Sequence, residues 1–179
     1  MIDAPSTAVV GVPVAITIAP PPAGTSNRQL QSVIVDFGDG TSQTISSPTG
    51  QVGLTHTYRN PGGFTITARS TDVAGNTGIA TRGIVVNRVT PTVTLTPSDT
   101  TPQVNQVIGF TITSSPGAGG PAVESLRAFI DGELVFSTTG SSGAFSKAFS
   151  AVGTYLVEVQ ATDAAGNIGR TQIFMTVTP

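Results

Sequence analysis

Two carboxylates three positions apart, Asp36 and Asp39, sit among glycines in "VDFGDG" at residues 35–40. Such a pair could open a calcium loop, where oxygen ligands recur at alternate positions and a bidentate Glu closes the shell. It could also serve as a general acid and base. The calcium reading fails on ligands: Gly38 stands where one is needed, and residues 41–47 contain no acid. His56, the one histidine, could act as a base, but no G-x-S-x-G places a serine nucleophile for it. One histidine and no cysteine also leave zinc and thiol chemistry without donors. "STDVAGN" (70–76) and "ATDAAGN" (161–167) each set an Asp and an Asn around a glycine. Asp72 with Asn76, and Asp163 with Asn167, could offer calcium two side-chain oxygens, against the roughly six to eight it takes.

The same residues serve backbone turns. Asp-Gly tolerates the positive φ that a type I′ hairpin turn needs at both central residues, so Asp39-Gly40 is expected there. Asp36 precedes the apolar Phe37 and should face away from the core, accepting hydrogen bonds from the turn backbone. The Asp and Asn around Gly75 and around Gly166 fit self-capped Asx turns. On this reading no catalytic residue, metal or cofactor is implied.

The elements that position these residues come from the chain's likeness to itself. "HTYRNPGGFTITARSTDVAGNTG" (56–78) lies over "KAFSAVGTYLVEVQATDAAGNIG" (147–169) without a gap, setting Tyr58 on Phe149 and Asp72 on Asp163. Each copy also holds an earlier Asp-Gly, Asp39-Gly40 and Asp131-Gly132. Two domains are expected, 1–88 and 89–179, joined by "NRVTPTV" (87–93), a short proline-bearing and semi-rigid link.

Apolar residues alternate with period two. The inward sets are Val12/Val14/Ile16/Ile18, Val33/Val35/Phe37, Val52/Leu54/His56/Tyr58 and Phe64/Ile66/Ala68, with a last strand near 79–87. The second copy gives Val93/Leu95, Ile108/Phe110/Ile112, a strand near 125–130, Phe145/Phe149, Tyr155/Val157/Val159 and Ile173/Met175/Val177. "PPPAGTSN" (20–27) reads as a loop, and "NPGG" stops the strand that carries His56. Facing inward beside a strand edge, His56 is expected to be a core histidine hydrogen-bonded to backbone. Six or seven short strands per copy predict an all-β fold of two tandem immunoglobulin-like β-sandwiches.

Composition agrees. Charged residues are 10% of the 179, against about 25% in an average globular protein. A net charge of −2 carries no basic footprint for nucleic acid. No apolar run is long enough to cross a membrane, the best being broken by Pro13. Met1 is followed by "IDAPST", which has no apolar signal region, so an export signal is expected outside this segment of a larger protein.

"VDFGDG" with "HTYRNPGGF" resembles the PKD (polycystic kidney disease) domain pattern, in which a W-D-F-G-D-G-like stretch precedes H-x-Y and P-G-x-F/Y. Asp36, Phe37, Gly38, Asp39, Gly40, His56, Tyr58, Pro61 and Gly62 carry the match, and Val35 stands where the family usually has tryptophan. The second copy lacks D-F-G-D-G and H-x-Y, and its "SLRAFIDGELVF" is more similar to the Ig-like repeats of bacterial surface proteins. The resemblance implies an extracellular or cell-surface module without catalysis of its own.

The favoured function is a structural spacer or adhesion module whose partners are neighbouring domains. The alternative is an accessory module that binds polysaccharide or protein beside a catalytic domain. The second copy carries the discriminating residues. If Leu126, Ala128 and Ile130 face in, Phe129 faces out, as do Leu156 and Phe174 on neighbouring strands. They form either an exposed apolar patch or scattered surface residues, and a register slip of one would exchange the faces.

Overall fold

The computed structural model describes residues 1–19 and 29–179. The loop expected at "PPPAGTSN" lies outside the described residues. Two compact units divide the chain, Met1–Arg88 and Val89–Pro179. The described residues form strands and turns with no helix, and hence no helix long and apolar enough to cross a membrane.

Unit 1 contains β1 (Ile2–Asp3), β2 (Thr7–Val9), β3 (Pro13–Ile18), β4 (Leu30–Asp36), β5 (Ser42–Ser46), β6 (Val52–Thr57), β7 (Gly62–Asp72) and β8 (Thr77–Asn87). They make two sheets, ordered β1-β3-β6 and β2-β8-β7-β4-β5. All pairs are antiparallel except β2 with β8. Val14, Ile16 and Ile18 from the first sheet meet Val33, Val35, Ile66, Ala68, Ile84 and Val86 from the second, all buried. This is a two-layer sandwich core supplied by alternate residues. Val12 lies in the turn before β3 rather than in the strand.

Unit 2 contains β9 (Thr92–Pro97), β10 (Val107–Ser115), β11 (Val123–Ile130), β12 (Glu133–Thr139), β13 (Ser142–Ala148), β14 (Gly153–Asp163) and β15 (Ile168–Val177). Its sheets run β13-β10-β9 and β12-β11-β14-β15. Ile108, Phe110 and Ile112 of one layer pack in a single core with Leu126, Ala128, Val157, Val159 and Met175 of the other.

The duplication extends to the ladders. Phe64 pairs with Ile84 as Tyr155 pairs with Met175, and Val35 with Ala68 as Ala128 with Val159. Both copies break register where Leu30 opposes Asp72 and Val123 opposes Asp163, and unit 2 alone shifts again between β11 and β12 at Ala128 and Phe129. There β4 and β11 each bulge beside the Asp that opens the next turn. Such a bulge bends the strand and re-aims the chain.

Candidate functional site

In unit 1 the "VDFGDG" segment leaves β4 and meets β6 through side chains. Asp36 pairs with Ser42, which leaves five residues, 37–41, to turn the chain. Phe37 N donates to Thr41 O at 3.1 Å to close the turn. Gly38 and Gly40 take positive φ (81° and 89°), whereas Asp39 does not. The expected type I′ turn at Asp39-Gly40 is therefore corrected: two glycines flank Asp39, and five residues form the turn. In the second copy Asp131 and Gly132 do both take positive φ (49° and 86°), between the paired Ile130 and Glu133. Gly38 has a further reason to be glycine. A Cβ there would lie 2.7 Å from Thr65 O and 2.9 Å from Thr65 N, inside the β7 backbone.

Both carboxylates are engaged locally. Asp36 Oδ1 accepts from Gly38 N at 2.7 Å. Asp39 Oδ1 accepts from Thr41 N at 3.1 Å and from Thr41 Oγ1 at 2.6 Å. Its Oδ2 accepts from His56 Nε2 at 2.7 Å, with the two side chains 16% and 14% exposed. This corrects the expectation for His56, whose partner is a carboxylate and not backbone. The strand alternation aims His56 inward on the edge strand β6, within reach of the Asp39 carboxylate on the neighbouring turn.

The ring of His56 is stacked on Phe37 (centroids 4.0 Å apart, planes 3° apart) and meets Tyr58 edge-on at 4.6 Å. Tyr58 in turn stacks on Phe64 at 4.8 Å and donates from its hydroxyl to Phe37 O at 3.1 Å. Two turns and two strands are thereby clasped by one run of rings. Pro61 and Gly62, both exposed, end the intervening turn and start β7, which sets Phe64 against Tyr58.

The electrostatics follow from this packing. Burial, the largest single influence on Asp39, works against its charge, yet the hydrogen bonds from Thr41 and His56 and the charge of His56 together bring its pKa below 3.8. Burial and the nearby Asp39 charge raise the Tyr58 phenol above its ordinary 10.0, so it remains a donor to Phe37 O. A carboxylate whose pKa is lower in the fold stabilises the folded state above its unfolded value, and that contribution is lost as pH falls through the folded value. Unit 1 is accordingly expected to lose stability on acidification below about pH 4. Asp39→Asn should be less stable near neutral pH and should flatten that acid dependence. Thermal melting of both proteins between pH 6 and pH 3 checks this; equal slopes would remove Asp39 from the account.

The two Asp-x-x-x-Asn turns are near copies of each other. Asp72 Oδ1 accepts from Ala74 N (2.9 Å) and Asn76 N (2.8 Å), and Asn76 Nδ2 donates to Oδ1 and Oδ2 at 3.2 and 2.9 Å. Asp163 Oδ1 accepts from Ala165 N (2.9 Å) and Asn167 N (2.8 Å), with Asn167 Nδ2 at 3.2 and 2.9 Å. Asp72, Asp163 and Asn167 are buried, and each Asn turns its donor nitrogen, not its oxygen, towards the carboxylate. A calcium ion would have to displace these N–H donors and rotate the amide. Among the described residues no three of His, Cys, Asp and Glu cluster as a metal site would require.

The second copy replaces the clasp with rings alone. Lys147 holds the place of His56, and Phe149 packs on Tyr155 at 4.5 Å. Phe110, Phe145 and Phe136 form a separate stack at 4.7 and 5.3 Å. Of the outward residues, Phe174 is 66% exposed, while Phe129 and Leu156 are half-buried. Leu156 and Phe174 face each other across β14 and β15, and Phe129 pairs with Glu158, two residues from Leu156. Leu134, absent from the sequence-based set, pairs with Phe129 from β12 and is 52% exposed. Its signal was the next apolar residue after the Asp-Gly turn.

Residues 4–85 match the PKD domain family. No curated protein matches the chain in sequence. Among solved structures, the chain is similar to the fibronectin(III)-like modules of Clostridium thermocellum CbhA, at 17% identity over 99% of this chain and 94% of that one, with a TM-score of 0.45. It is similar to murine CEACAM1b at 11% identity over 99% and 100%, with a TM-score of 0.37. The Yersinia pseudotuberculosis adhesin InvE gives 14% identity over 97% and 58%, with a TM-score of 0.35.

Proposed function

We propose that this chain, whose residues 4–85 match the PKD domain, is a non-catalytic spacer or adhesion segment of a larger secreted or cell-surface protein. One observation carries the reading: the motifs that could do chemistry are occupied in shaping the backbone. Asp36, Asp39, Asp72 and Asp163 each accept hydrogen bonds from within their own turns. The one histidine is stacked and tied to Asp39. A catalytic group must instead meet a nucleophile, base or stabilising donors around a common point. The mechanism is mechanical: two sandwiches resist extension through strand ladders and separate cores.

Pulled between handle domains by force spectroscopy, the chain is expected to give two cooperative ruptures. Each should lengthen the tether by about 30 nm, at ~3.5 Å per extended residue. Smooth extension without ruptures would overturn the spacer role. Turnover of a glycosidic, ester or peptide substrate that Asp39→Asn abolishes would overturn the non-catalytic one. A second reading, an accessory binding module, is favoured by the exposed Phe174 and Leu134 on unit 2.

A further inference from the structure

The duplication lets each copy serve as the other's control. The registers equate Asp36, Ser42, Thr65 and Gly83 of unit 1 with Phe129, Leu134, Leu156 and Phe174 of unit 2. In both units these positions lie on the outer face of the larger sheet. Unit 1 forms that sheet with polar groups and a glycine at all four places, so the sandwich does not require apolar side chains there. In unit 2 they make a diagonal band across β12, β11, β14 and β15, within the roughly 5–8 Å over which cross-strand neighbours touch. A contiguous apolar face that folding does not demand marks an interaction site.

The rim narrows what the face would hold. Asp131 and Glu133 stand at one end of the band, Glu158 lies beside Phe129, and the exposed Arg127 and Arg170 flank Gln160 at the other end. Glu158 accepts from Gln160 at 2.6 Å and has Arg170 at 3.7 Å. Unit 2 carries six acidic residues against three basic ones. A second copy of this chain would bring together two units that each carry an excess of acid. A polysaccharide would find leucines for half of its platform, with no tryptophan in the chain and both tyrosines packed inward. We propose that this face docks a protein partner presenting an apolar side chain flanked by Lys or Arg, the charge that complements the Asp131 and Glu133 end of its rim. The inference rests on the reading of the chain as a non-catalytic module and names the surface by which it holds another protein.

The test selects binders to the intact chain from a displayed library of random 12-residue peptides. Selected sequences are expected to combine Arg or Lys with an aromatic or large aliphatic residue. They should bind the variants Phe174→Thr and Leu156→Thr about tenfold more weakly or worse, while Ile34→Thr on unit 1 leaves binding unchanged. Both Thr variants keep a strand-forming residue, and an unaltered melting curve certifies each. Acidic binders, or binders indifferent to Phe174, would overturn the proposal. So would a dimer in sedimentation that Phe174→Thr abolishes, or Phe174-dependent retention on cellulose, chitin or xylan. The rupture forces of the two sandwiches do not depend on this face, so failure here leaves the spacer reading standing, and the converse holds.

Discussion

Tyr58→Ala is expected to cost unit 1 about 3–5 kcal/mol, the usual range for removing a buried aromatic side chain. Tyr58 is fully buried, stacks on Phe64, meets His56 at right angles and bonds the Phe37 carbonyl. Its loss would leave a cavity, an acceptor without its donor, and the His56–Asp39 pair unsupported on one side. In a small domain 1 kcal/mol moves the melting temperature by roughly 4–8 °C, so a fall of more than 10 °C is expected. Tyr58→Phe keeps the ring and removes only the hydroxyl, at about 1 kcal/mol. Hydrogen exchange read by mass spectrometry checks both. In Tyr58→Ala, peptides from β3, β6 and β7 should lose protection, while β10, β11 and β14, in the other compact unit, provide the reference. Equal protection in the alanine and phenylalanine variants would show that the ring does not hold these strands together.

This sensitivity was only partly legible in the sequence, and the reason is the range of each interaction. Asp72 and Asp163 bond atoms two and four residues away, so their turns could be read from a seven-residue string. The alternation through Val14, Ile16 and Ile18, or through Val157 and Val159, likewise reports a buried face directly. His56 finds its acceptor 17 residues away, on a turn of another element. No local pattern announces that contact.

Asp39-Gly40 and Asp131-Gly132 are the same dipeptide in two different turns. Local preference permits the type I′ turn in both. In unit 1, Phe37 must enter the core and Gly38 must pass against Thr65, which lengthens the turn. Strands β5 and β12 were missed for another reason. "SQTIS" and "ELVFSTT" lie at sheet edges and are largely exposed or half-buried, so neither face carries a clean apolar period.

Gly169 and Gly78 occupy the same position in the two copies, pairing with Ala161 and Ser70 on equivalent strands. Their surroundings differ. A Cβ on Gly169 would overlap the carbonyl group of Pro91, which is backbone and cannot swing aside. A Cβ on Gly78 would meet only Ser70 Oγ at 3.1 Å, the movable end of a side chain. Neither glycine has positive φ, so the comparison isolates crowding from backbone strain. Gly169→Ala is expected to destabilise unit 2 by about 1–3 kcal/mol, as inserted atoms do in a packed interior. Gly169→Val should do more, driving the Pro91 segment off β15. Gly78→Ala should fall within about 1 kcal/mol of wild type, with restricted unfolded-chain freedom offsetting the shift of Ser70. Urea unfolding of the three variants decides the matter. Equal losses at the two positions would mean that glycine is required by the strand itself and not by the approach of Pro91.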